Sequence, residues 1–369
     1  MTNLPPIGPT GNPGNEDEGR LTDRVTASSN TPDWLRGGRP VPPRRRPRPR
    51  PNPTTNPNPG WNPNPTGGTV NLLKVLETAS IGTPVRRGGL ALYPVYLHGD
   101  QGLAIEPRRD LLEVLEQGSA TVPSVQVLNP SQLPALLVEG ETISGGLQDR
   151  CVNVSILVPA GGRVDVPVSC IERGRWGGGH HGFTRHGTFA PRRVRRTKTA
   201  TVGDAFRMSA ARLSDQGAVW SSVDHELDRV GADAPSRTML AAEERLDDEH
   251  FHLVEELAGM GPLPGQRGIV VGVGSRIVSA DLFASTELLA ANWRALVRGY
   301  LLDAMDAERS PSKPGAALRF LHRLAHAQAE VGRGVGLGDE LHLRSRSVVG
   351  QALTFEGNLV HASAYAVAA

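Results

Sequence analysis

Sixteen of the chain's 30 prolines fall within residues 1–68 of 369. Proline has no backbone N–H and a fixed φ, so a segment this dense in it can join neither a helix nor a central strand. The runs "RPVPPRRRPRPRPNP" and "NPNPGWNPNP" have almost nothing to bury. Residues 1–68 therefore read as a disordered, partly polyproline-like arm, and folding is confined to residues 69–369. The arm holds 9 Lys+Arg against 5 Asp+Glu, and the remainder 31 against 33. The basic balance belongs to the arm, and the near-neutral remainder argues against a globular nucleic-acid binder. The Arg-Pro run can make a weak acidic or nucleic-acid contact, or serve as a solubilising extension with no fixed partner.

Beyond the arm, the hydrophobic period changes along the chain. Residues 69–176 carry short alternating runs such as "GLALYPVYLHG", "SVQVLNP" and "ALLVEGETI", which predict a β-rich sandwich or open barrel. Within it, "RRDLLEVLEQG" has the best helical spacing, with Leu111, Leu112 and Leu115 on one face. A basic Gly/His loop is expected over 177–201, helices over 202–262 with an N-cap at Ser236, and mixed α/β structure over 263–369. "GIVVGVGSRIVSADLF" reads as strand, turn, strand. In "STELLAANWRALVRGYLLDAMDAE", Leu289, Trp293, Leu296, Val297, Tyr300 and Ala304 form one stripe behind a Ser285 or Thr286 cap. Pro314 stands near the first turn of the next helix. "VGLGDE" and Glu356-Gly357 read as turns in a C-terminal meander that joins the first sheet. The whole of 69–369 is thus a single α+β domain.

The stretch "GLQDRCVNVSILVPAGGRVDVPVSCIERGRW", residues 146–176, reads as a hairpin. Pairing its valines sets Val158 against Val164, Val154 against Val168 and Val152 against Cys170. Glu172 then opposes Arg150. Cys151 and Cys170 point to opposite faces and are expected as reduced thiols, Cys170 the more buried. No run approaches a membrane span, and residues 1–19 lack the basic and apolar regions of a secretory signal. A cytoplasmic setting without membrane contact is the default.

The open end of that hairpin gathers more polar groups than strand pairing needs. Glu139 and Glu141, two apart, would share a face on a strand, and nearby carboxylates raise one pKa for acid/base work. Glu172 joins them as a candidate catalytic carboxylate. Arg150 and Arg175 have the fork geometry to hold phosphate, Trp176 can stack on a base, and Gln148 and Asn153 can read hydroxyls or an amide. The structural alternative is an Arg150–Glu172 pair that only closes the hairpin. His180, His181 and His186 match no zinc spacing and stand beside Arg192, Arg193, Arg195 and Arg196, so no metal site is expected. His322 and His326 are expected on a solvated helix face. No Walker motif, G-x-G-x-x-G, G-x-S-x-G or C-x-x-C occurs.

"LLVEGETISGGLQDRCVNVSILVPAGGRVDVPVSCIERGRW" resembles the signature region of the ARG and Rhodanese-Phosphatase-superfamily-associated protein domain family. The landmarks are its EGE pair, G-x-Q-x-R, "LVPAG" turn and C-[VI]-E-x-G-R-W ending, followed by "QGAVWSSV", "ADLF", "VGLG" and "VHASAY". The resemblance spans roughly Thr69 to the C-terminus. It implies a setting alongside ADP-ribosylglycohydrolases and rhodanese-phosphatases, in NAD or ADP-ribose metabolism, and transfers no catalytic mechanism. Two readings follow. One is a protein that recognises or processes an ADP-ribose-like, NAD-derived or other phosphorylated nucleotide-like ligand. The other is a non-catalytic binding or scaffold module whose arm recruits a partner. Neither names a cofactor, an oligomeric state or a reaction.

Overall fold

The computed structural model describes residues 72, 74–99, 102–115, 123–175 and 182–367, except the side chains of 184–186. The Pro-rich arm, the expected start at Thr69, Trp176 and the His180-His181 pair lie outside the described residues, as does the His186 side chain.

Two antiparallel sheets carry the α+β architecture. The larger has the order β1 (Ser80–Ile81), β3 (Leu90–Tyr96), β12 (Gly268–Val273), β13 (Arg276–Phe283), β17 (Asn358–Ala366), β16 (Val348–Phe355), β15 (Asp339–Arg344) and β14 (Gln328–Arg333). A further strand, β2 (Val85–Arg87), also pairs with β3. The C-terminal meander therefore completes a sheet begun by residues 80–96. The smaller sheet runs β11 (Phe183–Phe189), β7 (Glu141–Gly145), β8 (Arg150–Val152), β10 (Arg163–Cys170), β5 (Ser124–Leu128) and β4 (Glu113–Leu115). Strands β6 (Ala135–Leu137) and β9 (Ile156–Val158) pair separately.

Both faces of the larger sheet are covered, which explains apolar runs such as "LALYPVY". Leu90 and Leu92 enter one core, and Ala91, Tyr93 and Val95 enter the other. On the first face lies α4 (Thr286–Ala304), whose Trp293, Leu296, Val297 and Tyr300 are buried as its stripe predicts. Ser285 caps it, its hydroxyl accepting the Leu288 N–H at 3.2 Å. Against α4 packs α3 (Leu240–Met260), and the Trp293 indole donates to the Leu257 carbonyl at 2.8 Å. On the opposite face, α5 (Pro314–Ala325) buries Phe320, Leu321 and Leu324 and starts with Pro314 as expected. His322 and His326 are exposed.

Four local expectations are corrected. Residues 109–115 form a short 3₁₀ turn and then β4, not a helix, because Val114 pairs with Val127 and extends the smaller sheet. Residues 183–201 are β11 and the start of α1 (Arg192–Ser209) rather than a loop. The arginine run there is helical, since Arg195 and Lys198 are buried against carboxylates. Helix α3 starts at Leu240 without a side-chain cap, and Ser236 instead gives its carbonyl to the Arg173 and Gly174 N–H groups. The hairpin register is shifted by two residues: Val168 faces Val152, Ser169 faces Cys151 and Cys170 faces Arg150. Its turn end splits, β9 pairing with β6 and the first half of β10 with β5, so each apolar strand finds a buried partner.

Cys151 and Cys170 are free, fully buried and on opposite faces. Burial pushes the Cys151 thiol up to about 12. Alkylation is expected to miss both thiols in the native protein and to label both after denaturation without reductant. A disulfide found by mass would contradict this arrangement.

Candidate functional site

Glu139 and Glu141 do not share a face. Gly140 between them takes φ +86°, a left-handed conformation that turns the chain before β7 begins. A Cβ at Gly140 would sit 2.3 Å from Arg195 Nε, so the close passage of Arg195 also demands glycine. Glu141 pairs with Arg109 at 2.7 Å, an ion pair without hydrogen-bond alignment.

Glu139 turns inward to a fully buried network. One carboxylate oxygen accepts Lys198 Nζ at 2.7 Å and Thr199 Oγ1 at 3.5 Å. The other accepts Arg195 Nη2 at 3.0 Å and the hydroxyls of Ser363 and Tyr365, each at 2.8 Å. Arg195 continues to Asp281 at 2.7 Å, and Tyr300 donates to the same carboxylate at 2.5 Å. His361 lies 3.6 Å from Asp281 and shares a 2.8 Å hydrogen bond with Ser155, whose hydroxyl accepts the Glu139 N–H. Two carboxylates meet two cations, so formal charge closes to zero. Burial alone would raise Glu139, but Arg195 and Lys198 outweigh it and hold the carboxyl at about 2. Asp281 is likewise held well below the usual range, against burial, by Arg195 and His361.

The open end of β8 and β10 forms a second cluster. Arg175 donates through Nε to both Glu172 oxygens at 3.0 and 2.9 Å, through Nη1 to the Gly146 carbonyl at 2.8 Å and through Nη2 to Asp149 at 3.1 Å. Thr238, just before α3, donates to Asp149 at 2.6 Å. Gln148 donates to the Glu172 carbonyl at 3.1 Å. Burial pushes Glu172 up, yet the Arg175 hydrogen bonds and those from Ser236 and the Asp149 N–H hold it below the ordinary range. Asp149 is raised, first by burial and then by Glu172 nearby, with the Thr238 bond opposing. Arg175 keeps 26% of its side chain exposed, the most open of these groups.

Glu243 on α3, absent from the sequence reading, extends this cluster. It is 5% exposed, and Thr142 Oγ1 lies 3.5 Å from its Oε1. Burial raises its carboxyl to about 8, aided by Asp149 and Asp247 and opposed by Thr188 and Arg298. The available signal was its place in the apolar stripe of Met239, Ala242 and Leu246. The structure thus brings Gln148, Glu172 and Arg175 together with Asp149, Thr238 and Glu243. It places Glu139 and Glu141 on separate cations. Arg150 is buried, donating to Gln148 Oε1 at 3.2 Å and Cys170 Sγ at 3.3 Å, and it does not pair with Glu172. Asn153 is spent on Ser169 and the Arg212 carbonyl. No group of three or more His, Cys, Asp or Glu suited to a metal ion occurs among the described residues. Nor is any described helix long and apolar enough to cross a membrane.

Residues 78–365 match the ARG and Rhodanese-Phosphatase-superfamily-associated Protein domain, and the chain belongs to that family. No curated protein and no solved structure matches it.

Three substitutions test these assignments. Glu139→Gln leaves two buried cations short of a charge, and is expected to lower stability by about 3–5 kcal/mol in chemical denaturation. Gly140→Ala should destabilise as well, through the positive φ and the clash with Arg195. For Glu243 the folded pKa of about 8 exceeds the ordinary 4.5, so the folded state keeps a proton that the unfolded state has lost. That contribution weakens stability progressively as pH rises from about 4.5 to 8. Glu243→Gln should flatten this slope, raising Tm relative to the parent at pH above 8 and changing it little near pH 4.5.

Proposed function

We propose that the chain recognises, and acts by proton transfer on, an ADP-ribose-like or other phosphorylated nucleotide-like compound at the open end of β8 and β10. The observation that carries this reading is Glu243, its carboxyl raised to about 8, within electrostatic reach of the raised Asp149, which itself pairs with a partly exposed guanidinium. Perturbed carboxyls of this kind concentrate at functional sites. A glutamic acid that retains its proton at pH 7 is suited to protonating a leaving oxygen, and Asp149 can accept or orient a hydroxyl. Glu172 keeps Arg175 aimed at the rim, and Gln148 fixes the Glu172 backbone. Arg150 supplies positive charge from behind, and Trp176 adjoins the cluster in sequence. Glu139 and Glu141 hold the frame through their cations. The ligand class is supported by the family's association with ADP-ribosylglycohydrolases and rhodanese-phosphatases.

A non-catalytic binding module is the second reading. It is favoured by the three Arg175 nitrogens, all of which are spent on protein acceptors. The arm's partner contact and a cytoplasmic location belong to the same proposal.

A thermal-shift screen of the full chain with ADP-ribose, NAD and mononucleotides is expected to show stabilisation by at least one. A ligand at 100 times its Kd adds about 2.7 kcal/mol. Chromatography of the recovered ligand separates the two readings. Turnover that Glu243→Gln removes while binding persists supports proton transfer; binding without turnover supports the module. No stabilisation by any of them overturns the ligand class.

A further inference from the structure

The hairpin-end cluster has spent its guanidinium groups on protein acceptors, and the unneutralised positive charge of the fold lies elsewhere. Helix α1 is two-faced. Arg195, Lys198, Thr199 and Val202 point inward, while Arg196, Thr197, Ala200 and Thr201 fall on the opposite side of the helix. That outer side forms one wall of a cavity of about 1020 Å³. The other walls come from His326 and Gln328 after α5, from Arg344, Ser345 and Arg346 between β15 and β16, and from Val349 and Val367.

The lining contains Arg196, Arg344, Arg346 and His326 and no carboxylate. Arg344 is paired with Asp204 outside the lining. Among the described residues, Arg196 makes only a long 3.5 Å bond to the Ala366 carbonyl. Arg346, exposed, has no ion-pair partner among the described residues. Burial, then the neighbouring Arg192 and Arg193, hold the Arg196 guanidinium below its ordinary range, with Glu226 opposing. His326 hydrogen-bonds the His322 carbonyl through Nδ1 at 2.9 Å, so Nδ1 carries the proton and Nε2 is the ring's remaining nitrogen.

The hydroxyls of Thr201 and Ser345 are already occupied, and only Thr197 keeps a proton to donate among the described wall hydroxyls. Thr197 accepts from Ser222, Thr201 bonds the Thr197 carbonyl and accepts the Asp215 N–H, and Ser345 accepts the Val348 N–H. The uncommitted donors are therefore mostly cationic, and a matching ligand must bring several anionic oxygens. Ala200, Val349 and Val367 add an apolar patch that inorganic anions would leave uncovered.

We propose that this cavity is a binding site for a small organic phosphate, a mono- or diphosphate ester, held by Arg196, Arg346 and Arg344. The site is separate from the hairpin end and does not depend on the proton-transfer reading.

Isothermal titration of the full chain with ADP-ribose, AMP and inorganic diphosphate tests it. The organic phosphates should bind more tightly than diphosphate alone, with affinity falling as salt rises. Arg346→Ala and Arg196→Ala should each weaken binding about tenfold, the usual worth of one charge-assisted hydrogen bond. Arg346→Glu should abolish it. Arg346 is exposed, so an unchanged melting temperature is expected for its variants and separates lost binding from lost folding. If Arg175→Ala removes binding while Arg346→Glu keeps it, the organic phosphate sits at the hairpin end and this proposal fails. Equal affinity in parent and Arg346→Glu overturns it. So does binding of single-stranded RNA, with none of the small phosphates bound.

Discussion

The Glu139 carboxylate ties together three parts of the chain. It sits on the turn leading into the smaller sheet. Its partners come from α1 (Arg195, Lys198) and from the central strand β17 (Ser363, Tyr365) of the larger sheet. Through Arg195 the network reaches Asp281 on β13 and Tyr300 on α4. Both sheets and two helices are therefore referenced to one buried ion cluster. Such a cluster is costly to desolvate, and it stabilises only when every member is satisfied. The dense hydrogen bonding and the zero formal charge approach that condition, with Arg195 Nε left without a hydrogen-bond partner among the described residues. Hydrophobic packing can tolerate a small slide between layers; this set of fixed donors and acceptors tolerates much less.

The two polar clusters differ in what their surroundings do to protons. In the Glu139 network cations outweigh burial, and the carboxylates stay ionised across the physiological range. Around Glu243 burial wins, because its nearest charges include Asp149 and Asp247 as well as Arg298. One environment fixes geometry and the other leaves a proton to exchange. The same residue type serves both, and only the ratio of cations to carboxylates separates them.

Much of the fold is legible in the sequence. The α4 stripe, its Ser285 cap, the β12–β13 hairpin and the Glu356-Gly357 turn each rest on local chemistry that tertiary contacts did not override. The losses have specific causes. "RRVRRTKT" looks like a solvated cation run because the carboxylates that bury Arg195 and Lys198 lie 56 to 86 residues away in sequence. The Glu139–Gly140–Glu141 turn looks like a strand because Gly140's positive φ leaves no mark on the hydrophobic alternation. The hairpin register fails by two because β9 and β10 each found another partner, so the Pro-Ala-Gly-Gly turn does not set their pairing. Of the candidate site, Gln148, Glu172 and Arg175 were visible as an excess of polar groups at a strand end. Asp149's partner Thr238 and Glu243 were not, since their approach depends on where α3 starts.

Strand β17 lies between β13 and β16, well inside the larger sheet, although it is the last strand in sequence. During synthesis on a ribosome, β3, β12 and β13 can assemble early, but they present an open apolar edge until residues 358–366 emerge from the exit tunnel. Ser363 and Tyr365 arrive at the same moment, so the ion cluster also waits for the final stretch. The nascent protein thus carries an unpaired β13 edge and an incomplete charge centre from the time residues 276–283 leave the tunnel until residues 358–366 follow. A chaperone that shields strand edges would act on this chain in that interval.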